Sequence, residues 1–174
     1  MRSEISNFIS RHTSVLSVPF VPELVMHTAA EAIPLWERTE ERTGVRDPAP
    51  PFWAFPWAGG QALARWVLDH PEVVRGRSVL DVASGGGLVA IAAARAGAAR
   101  VVANEIDPYA DAAIELNAAA NDVTVDRTLA DLLDSEVDSD VVLAGDVFYS
   151  GAMSQRMLTF LRRAARTGAE VVVG

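Results

Sequence analysis

The segment from residue 78 to residue 107, SVLDVASGGGLVAIAAARAGAARVVANEID, constrains the fold of this chain more than any other. A short apolar run reaches Asp81, and three consecutive glycines follow at 85–87. An alanine-rich stretch then leads to Gly97, and a second apolar run ends at Glu105. This order predicts a strand, a glycine turn, a helix and a second strand, with an acidic side chain at the tip of each strand. Such a unit binds an adenosine-containing cofactor at the carboxyl ends of a parallel sheet.

The chain beyond this unit predicts an α/β fold with a doubly wound, mainly parallel sheet. Apolar runs place its strands near residues 78–82, 100–105, 123–126, 140–145 and 170–173. Helical patterns alternate with them, near residues 61–70, 87–96, 108–120 and 151–167. Strands that alternate with helices are typical of a parallel sheet with both faces covered.

Residues 1–60 precede this alternation and predict an N-terminal helical extension followed by an aromatic loop. Helices are expected near 22–33 and 34–43, because a proline stands in the first turn of each and Gly44 follows the second. Residues 61–174 then form the cofactor-binding domain. A doubly wound sheet ordinarily continues beyond a fifth strand, so the chain is expected to be truncated or its domain unusually short.

Composition excludes several classes of protein. With 174 residues, one domain is expected, and without cysteine the chain has no disulfide, no thiol nucleophile and no thiolate metal site. A net charge of −8 without a basic patch argues against nucleic-acid binding. No apolar run approaches the roughly 20 residues of a membrane span, and no signal peptide is evident, so a cytoplasmic enzyme is expected. The three histidines, His12, His27 and His70, have no metal-like spacing, and no metal site is predicted.

The glycine turn alone leaves two cofactors open. Gly85-x-Gly87-x-x-Ala90 matches the degenerate dinucleotide fingerprint, and Glu105 lies where a ribose-binding acid is expected, so a nicotinamide dehydrogenase is one interpretation. However, Asp81 stands four residues before Gly85, where a carboxylate would repel a pyrophosphate. An acid at this position suits a cationic ligand, such as an α-amino group or a sulfonium.

VLDVASGGG resembles motif I of the class I S-adenosylmethionine-dependent methyltransferases, with Ala83 in place of the first glycine. NEID resembles their next motif, in which the acid corresponding to Glu105 binds the ribose hydroxyls. Asp131 matches the acid that meets the adenine amino group, and Asn117 and Asn121 stand where the family often has asparagine. The resemblance predicts cofactor-binding residues at Asp81, Ala83, Gly85, Gly87, Glu105, Ile106, Asp131 and Gly145.

The end of the fourth strand predicts the acceptor site. Asp146-Val-Phe-Tyr149 resembles the Asp/Glu-x-x-Phe/Tyr motif of protein-lysine methyltransferases. The resemblance implies that Asp146 holds and orients the incoming amine and that Tyr149, with Phe148, forms an aromatic wall. Two alternatives remain open, namely that Asp146 is only the N-cap of the helix starting near Ser150, and that Tyr149 only packs in the core.

The aromatic segment before the sheet sharpens the resemblance. PFWAFPWAGG and GDVFY are similar to the family that methylates lysines of the electron transfer flavoprotein β-subunit. By this resemblance Trp57, Gly59 and Gly60 lie at the methionine end of the cofactor, Trp53 is structural, and the family's final hairpin is missing. The alternative for the segment is a hydrophobic plug over the sheet.

The sequence thus predicts an S-adenosylmethionine-dependent protein-lysine N-methyltransferase with a protein substrate, the electron transfer flavoprotein β-subunit being the first candidate. No nucleic-acid or membrane partner is expected. The alternatives are N-methylation of a small amine or a ribosomal protein, a non-catalytic cofactor-binding module and, third, a nicotinamide oxidoreductase.

Overall fold

The apolar runs of the sequence form one parallel sheet. The computed structural model describes residues 2–46 and 48–174. Within them the elements follow in the order α1 (Arg2–His12), β1 (Ser14–Val18), β2 (Val21–Thr28), α2 (Ala32–Thr43), α3 (Ala58–Asp69), β3 (Ser78–Val82), α4 (Leu88–Arg95), β4 (Arg100–Asn104), α5 (Pro108–Ala120), β5 (Asp126–Thr128), β6 (Val141–Ala144), α6 (Gly151–Arg166) and β7 (Glu170–Val173). Short 3₁₀ turns lie at Phe52–Ala54 and Pro71–Val73.

The main sheet has the strand order β5-β4-β3-β6-β7, and all its neighbouring strands pair in parallel. From β3 the chain winds outward through β4 to β5, and then crosses to the other side of β3 to form β6 and β7. The predicted doubly wound fold is therefore confirmed. The strand order reverses beside β3, and in such sheets ligands bind at the carboxyl ends of the strands at this point.

Alternate residues of each central strand pack on opposite faces of the sheet. Val79 of β3 belongs to the core formed with α3, α4 and α5, whereas Leu80 and Val82 pack against α6. The central strand β6 is fully buried, which explains why its sequence is continuously apolar.

The N-terminal region differs from the predicted helical extension in two elements, because β1 and β2 form an antiparallel hairpin there. The helix expected near 22–33 is wrong, because residues 21–28 form strand β2, which pairs antiparallel with β1. Val21, Leu24 and Met26 of this strand are buried. The proline that suggested a helix start at residue 22 lies instead in the two-stranded hairpin, where tertiary contacts outweigh local propensity.

Other predicted element boundaries are correct or move by a few residues. Gly44 ends α2 in the left-handed conformation, and Asp107 caps α5 with its carboxylate on the Tyr109 amide at 2.8 Å, as expected. Strand β5 lies at 126–128 rather than 123–126. Helix α3 begins at Ala58, so the predicted boundary between residues 60 and 61 falls in its first turn. In the predicted aromatic loop 47–60, residue 47 lies outside the described residues.

Across the described part of the chain, no helix combines the length and the apolar character that a membrane crossing requires.

Candidate active site

A cavity of about 670 Å³ opens at the carboxyl ends of the strands. Pockets for small molecules and cofactors usually have volumes in this range. Its wall contains ten of the twelve predicted site residues, namely Trp57, Asp81, Ala83, Gly85, Glu105, Ile106, Asp131, Gly145, Asp146 and Tyr149. The other two, Gly59 and Gly87, lie directly behind this wall, next to Gly60 and Gly86, which do line it.

The glycine turn between β3 and α4 has an unusual backbone. Ala83, Gly85 and Gly87 have φ angles of 54°, 57° and 89°, all in the left-handed region. A non-glycine residue in this region is disfavoured, so Ala83 occupies a position that glycine would accept more readily. A side chain at Gly85 would point into open space, which leaves the backbone of the turn accessible from the cavity.

Asp81 lies at the end of β3 and is 1 % exposed. Its Oδ2 accepts hydrogen bonds from the Ser84 hydroxyl and from the Ala90 amide, the latter at 3.0 Å. Burial, with a smaller effect of the nearby charge of Glu105, raises the pKa of Asp81 to about 7 against the opposing effect of these hydrogen bonds. A buried carboxyl with this pKa favours a cationic ligand, because a positive charge would compensate for its desolvation.

Glu105 follows β4 and joins the tip of that strand to the glycine turn. Its Oε1 accepts the Gly85 amide at 2.7 Å and its Oε2 accepts the Ile106 amide at 3.1 Å. Burial raises the pKa of Glu105, while these backbone hydrogen bonds oppose the rise. Because each carboxylate oxygen can accept two hydrogen bonds, both oxygens retain capacity for a ligand.

Asp131 lies beyond β5 and forms contacts that the sequence did not indicate. It accepts the Leu133 amide at 3.1 Å and pairs with Arg156 of α6 at 3.0 Å, and Arg156 also pairs with Asp134 at 2.7 Å. The Leu133 hydrogen bond, followed by that from Arg156, lowers the pKa of Asp131. Arg156 therefore belongs to the site, although no local motif marks a helical arginine for this position.

Asp146 caps a helix, but not the helix that the alternative interpretation proposed. Helix α6 begins after Ser150, whereas the Asp146 carboxylate accepts the Gly59 amide at 2.9 Å and the Gly60 amide at 2.5 Å, in the first turn of α3. A Cβ on Gly59 would lie 2.8 Å from the Asp146 Oδ1, so only glycine fits there without a shift. The carboxylate is thus fixed at the cavity wall by the amino end of α3.

Aromatic side chains surround the mouth of the cavity. Trp57 is 48 % exposed and donates its Nε1–H to the Phe52 carbonyl at 2.9 Å. The Phe52 ring lies 5.5 Å from the Tyr149 ring and 5.9 Å from the Trp57 ring, measured between centroids. Tyr149 is 67 % exposed, so the alternative of core packing is wrong for this residue. Trp53 is buried and stacks with Tyr109, in agreement with a structural role.

Two further residues of the site were missed by sequence reasoning. Asn104 is buried at the end of β4, where its Nδ2 donates to the carbonyls of Thr128 and Ala130 at 3.2 and 2.8 Å. Gly86 lies within the glycine turn, and a Cβ on it would approach the Met26 Cε and the Trp53 carbonyl to 2.6 Å. The triple glycine was the only sequence signal for Gly86, and it gave no indication of which chain segment packs against the turn.

The charges of the wall identify the kind of ligand that it accepts. The side chains of the wall that ordinarily carry a charge are five carboxyls, of Asp81, Glu105, Asp107, Asp131 and Asp146, and one guanidinium, of Arg156. This excess of acid disfavours a pyrophosphate and favours a ligand with positive charge near Asp81. The open backbone of the glycine turn and the acid at the tip of β4 fit an adenosine-containing cation, such as S-adenosylmethionine.

Comparison with known proteins gives the family. The model of the ribosomal protein L11 methyltransferase family matches residues 63–147. The electron transfer flavoprotein beta subunit lysine methyltransferase of Xenopus laevis is 37 % identical over 171 residues, which cover 97 % of this chain and 68 % of that protein. Its Homo sapiens counterpart is 39 % identical over 163 residues, covering 92 % of this chain and 61 % of that protein.

The chain belongs to the electron transfer flavoprotein β-subunit lysine methyltransferase family. It spans about two thirds of the length of these relatives. The predicted family, enzyme class and cofactor are confirmed, and the nicotinamide oxidoreductase interpretation is excluded.

Solved structures of other methyltransferases are similar to this chain in fold. A ribosomal protein L11 methylase from Lactobacillus delbrueckii subsp. bulgaricus superposes with a TM-score of 0.51 at 25 % identity, over 63 % of this chain and 55 % of that one. A 16S rRNA N2 G1207 methyltransferase of T. thermophilus, solved with AdoMet and guanosine, gives a TM-score of 0.54 at 23 % identity, over 86 % of this chain and 36 % of that one. The second likeness concerns the fold alone.

Proposed function

We propose that this methyltransferase modifies the side-chain amine of a lysine on a protein, and that the protein is the β-subunit of electron transfer flavoprotein. The observation that carries the proposal is the extent of the similarity to proteins named for this activity, which reaches 92 % of the chain or more in the Xenopus laevis and Homo sapiens relatives. The acidic wall and the aromatic mouth of the cavity support it, since both suit a cationic acceptor.

The cofactor half of the site is assigned to the β3 and β4 ends of the cavity. When bound, S-adenosylmethionine supplies a methyl group on a sulfonium, which an amine nitrogen can accept while the sulfur keeps the electron pair of the broken bond. Glu105 would accept hydrogen bonds from the ribose, and the turn at Gly85 would present its backbone to the ligand. Asp81 would compensate the positive charge at the methionine end, and Asp131 would accept a hydrogen bond from the adenine amino group.

The acceptor half is assigned to the β6 end. A lysine ammonium has a pKa of about 10.4 and must lose a proton before its nitrogen can react. Asp146, held in place by the amides of Gly59 and Gly60, accepts a hydrogen bond from the amine and so orients its lone pair. Trp57 and Tyr149 exclude water at the mouth, and positioning of the two reactants provides most of the acceleration.

A ribosomal protein is the second candidate acceptor. The observation that favours it is the match of residues 63–147 to the ribosomal protein L11 methyltransferase model. This match ends at Val147. The similarity to the flavoprotein methyltransferases instead extends over almost the entire chain. The latter therefore supports the flavoprotein as first candidate.

A paired transfer assay tests the proposal. The protein is incubated with tritiated S-adenosylmethionine and either purified electron transfer flavoprotein or purified ribosomal protein L11, and labelled peptides are sequenced by mass spectrometry. We expect label on a lysine of the flavoprotein β-subunit. The control variant is Asp126→Asn, which changes an exposed carboxylate on β5 away from the cavity wall and should transfer as the natural chain does.

Each alternative outcome identifies a different function. Label on ribosomal protein L11 alone would replace the first candidate by the second. S-adenosylhomocysteine binding without transfer to either protein would favour a small-amine acceptor or the non-catalytic cofactor-binding module.

A further inference from the structure

Asn117 of α5 connects the cofactor-binding turn to the N-terminal hairpin. It is completely buried. Its Oδ1 accepts the His27 amide of β2 at 2.7 Å, and its Nδ2 donates to the Gly86 carbonyl at 2.8 Å. One side chain thus contacts two segments that are about 60 residues apart in sequence.

Asn121, one helical turn later, provides an internal comparison. Its Oδ1 accepts the Val25 amide at 3.0 Å, and its Nδ2 donates to the carbonyls of Val25 and Asn117 at 2.7 and 2.8 Å. Both asparagines therefore bind backbone groups of β2 on the edge that β1 leaves free. Only Asn117 also bonds to the glycine turn.

The glycine turn requires such external support. Glycine adopts positive φ freely, so Gly85 and Gly87 leave the turn flexible, whereas Ala83 keeps a positive φ only where its surroundings impose it. Its amides are held by its neighbours in the site, since Ser84 donates to the Asn104 carbonyl at 3.0 Å and Gly85 donates to Glu105. The Gly86 carbonyl is held by Asn117 alone among the hydrogen bonds of the described residues.

The hairpin also lies directly on this turn. A Cβ on Gly86 would meet the Met26 Cε of β2 at 2.6 Å and the Trp53 carbonyl at the same distance. The hairpin and the aromatic segment therefore pack closely against Gly86, and Asn117 also bonds to it. A shift of β2 would displace the turn through both contacts.

We propose that Asn117 is a positioning residue for cofactor binding, which fixes the Gly86 peptide and thereby makes the N-terminal hairpin part of the cofactor site. The inference rests on the proposed function only in assigning the turn to the cofactor. It requires nothing of the acceptor, so failure of the proposed acceptor would leave it standing, whereas failure of the cofactor assignment would remove both.

A matched pair of substitutions tests this role. Asn117→Asp keeps the oxygen that accepts the His27 amide but sets a carboxylate oxygen against the Gly86 carbonyl. Asn121→Asp makes the equivalent change against the Val25 carbonyl, away from the turn. We expect the dissociation constant of S-adenosylhomocysteine, measured by calorimetry, to rise about tenfold or more for Asn117→Asp and less than about threefold for Asn121→Asp, at similar losses of thermal stability.

The Km for S-adenosylmethionine should rise with that dissociation constant in Asn117→Asp, while the Km for the acceptor stays within about twofold. A purely structural role would lower the melting temperature of both variants and leave their cofactor affinities alike at a temperature where both are folded. That result would overturn the proposal. Failure of the natural chain to bind S-adenosylhomocysteine would instead overturn the cofactor site itself, and this inference with it.

Hydrogen exchange in the natural chain gives a second measurement that does not depend on folding of a variant. The amides of Val25 and His27 are alike, since both lie in β2, bond to an asparagine oxygen and are absent from the cavity wall. On addition of S-adenosylhomocysteine, exchange at His27 should slow by about tenfold more than exchange at Val25, because only His27 shares its partner with the turn. Equal protection of the two amides would contradict the proposal.

Discussion

Replacement of Asp81 by asparagine should stabilise the ligand-free protein at pH 8 and weaken its cofactor binding. Both protein hydrogen bonds of this side chain reach a single oxygen, Oδ2, so the asparagine oxygen can accept from Ser84 and Ala90 in its place. The substitution therefore removes the charge while it preserves the contacts.

The magnitude follows from the pKa. Burial raises it from 3.8 to about 7, and each pH unit of such a rise corresponds to about 1.36 kcal/mol. The folded state binds the proton of Asp81 more tightly than the unfolded state does. The contribution of this proton to the free energy of unfolding is therefore complete below about pH 4 and is lost as the pH rises to about 7. Asp81→Asn avoids this loss, and its free energy of unfolding at pH 8 should exceed that of the natural chain by about 2–4 kcal/mol.

Urea unfolding followed by circular dichroism at pH 4.5 and pH 8 measures this difference. The two proteins should be close in stability at pH 4.5 and separate at pH 8, while S-adenosylhomocysteine binds Asp81→Asn more weakly at both values. Asp140→Asn is a control of opposite sign, because hydrogen bonds from the Ser78 hydroxyl and amide lower the pKa of Asp140. That variant should be less stable than the natural chain at pH 8. If the stability of Asp81→Asn relative to the natural chain does not increase between pH 4.5 and pH 8, the interpretation of Asp81 as a buried carboxyl without a compensating charge is refuted.

Two other carboxylates of the site give further predictions. Glu105→Ala should weaken S-adenosylhomocysteine binding by roughly 1.5–3 kcal/mol in calorimetric titration, since charged hydrogen bonds to the ligand and to the Gly85 amide are lost. Normal binding would mean that Glu105 only stabilises the glycine turn. Asp146→Asn retains one of its two oxygens for the amides of α3 and should keep cofactor affinity while methyl transfer falls by about 10²-fold, whereas undiminished transfer would leave Asp146 as a cap of α3 only. Asp146→Ala should in addition lower the free energy of unfolding by about 1 kcal/mol in a urea titration, because the first turn of α3 loses its acceptor.

The sequence by itself determined the strands and helices around the sheet and the acidic residues at the strand ends. The strand, glycine turn, helix and strand of residues 78–107 are encoded by local patterns, because apolar runs and glycines specify their conformation largely without distant partners. The same patterns place an acid at the end of β3 and just after β4 and β6. Since parallel strands end at one edge of the sheet, the sequence predicts that Asp81, Glu105 and Asp146 lie together, and the family resemblance adds Asp131. All four line the same cavity.

Only the tertiary structure determined the roles of residues whose partners lie far away in the sequence. Residues 21–28 form a strand that pairs with β1 along one edge and binds Asn117 and Asn121 along the other. None of these contacts is visible in the local pattern that suggested a helix. Asp146 caps α3, some 87 residues earlier in the chain, rather than the helix that follows it. Local sequence specifies backbone conformation through nearest neighbours, whereas a hydrogen bond between remote segments exists only after folding has brought both together.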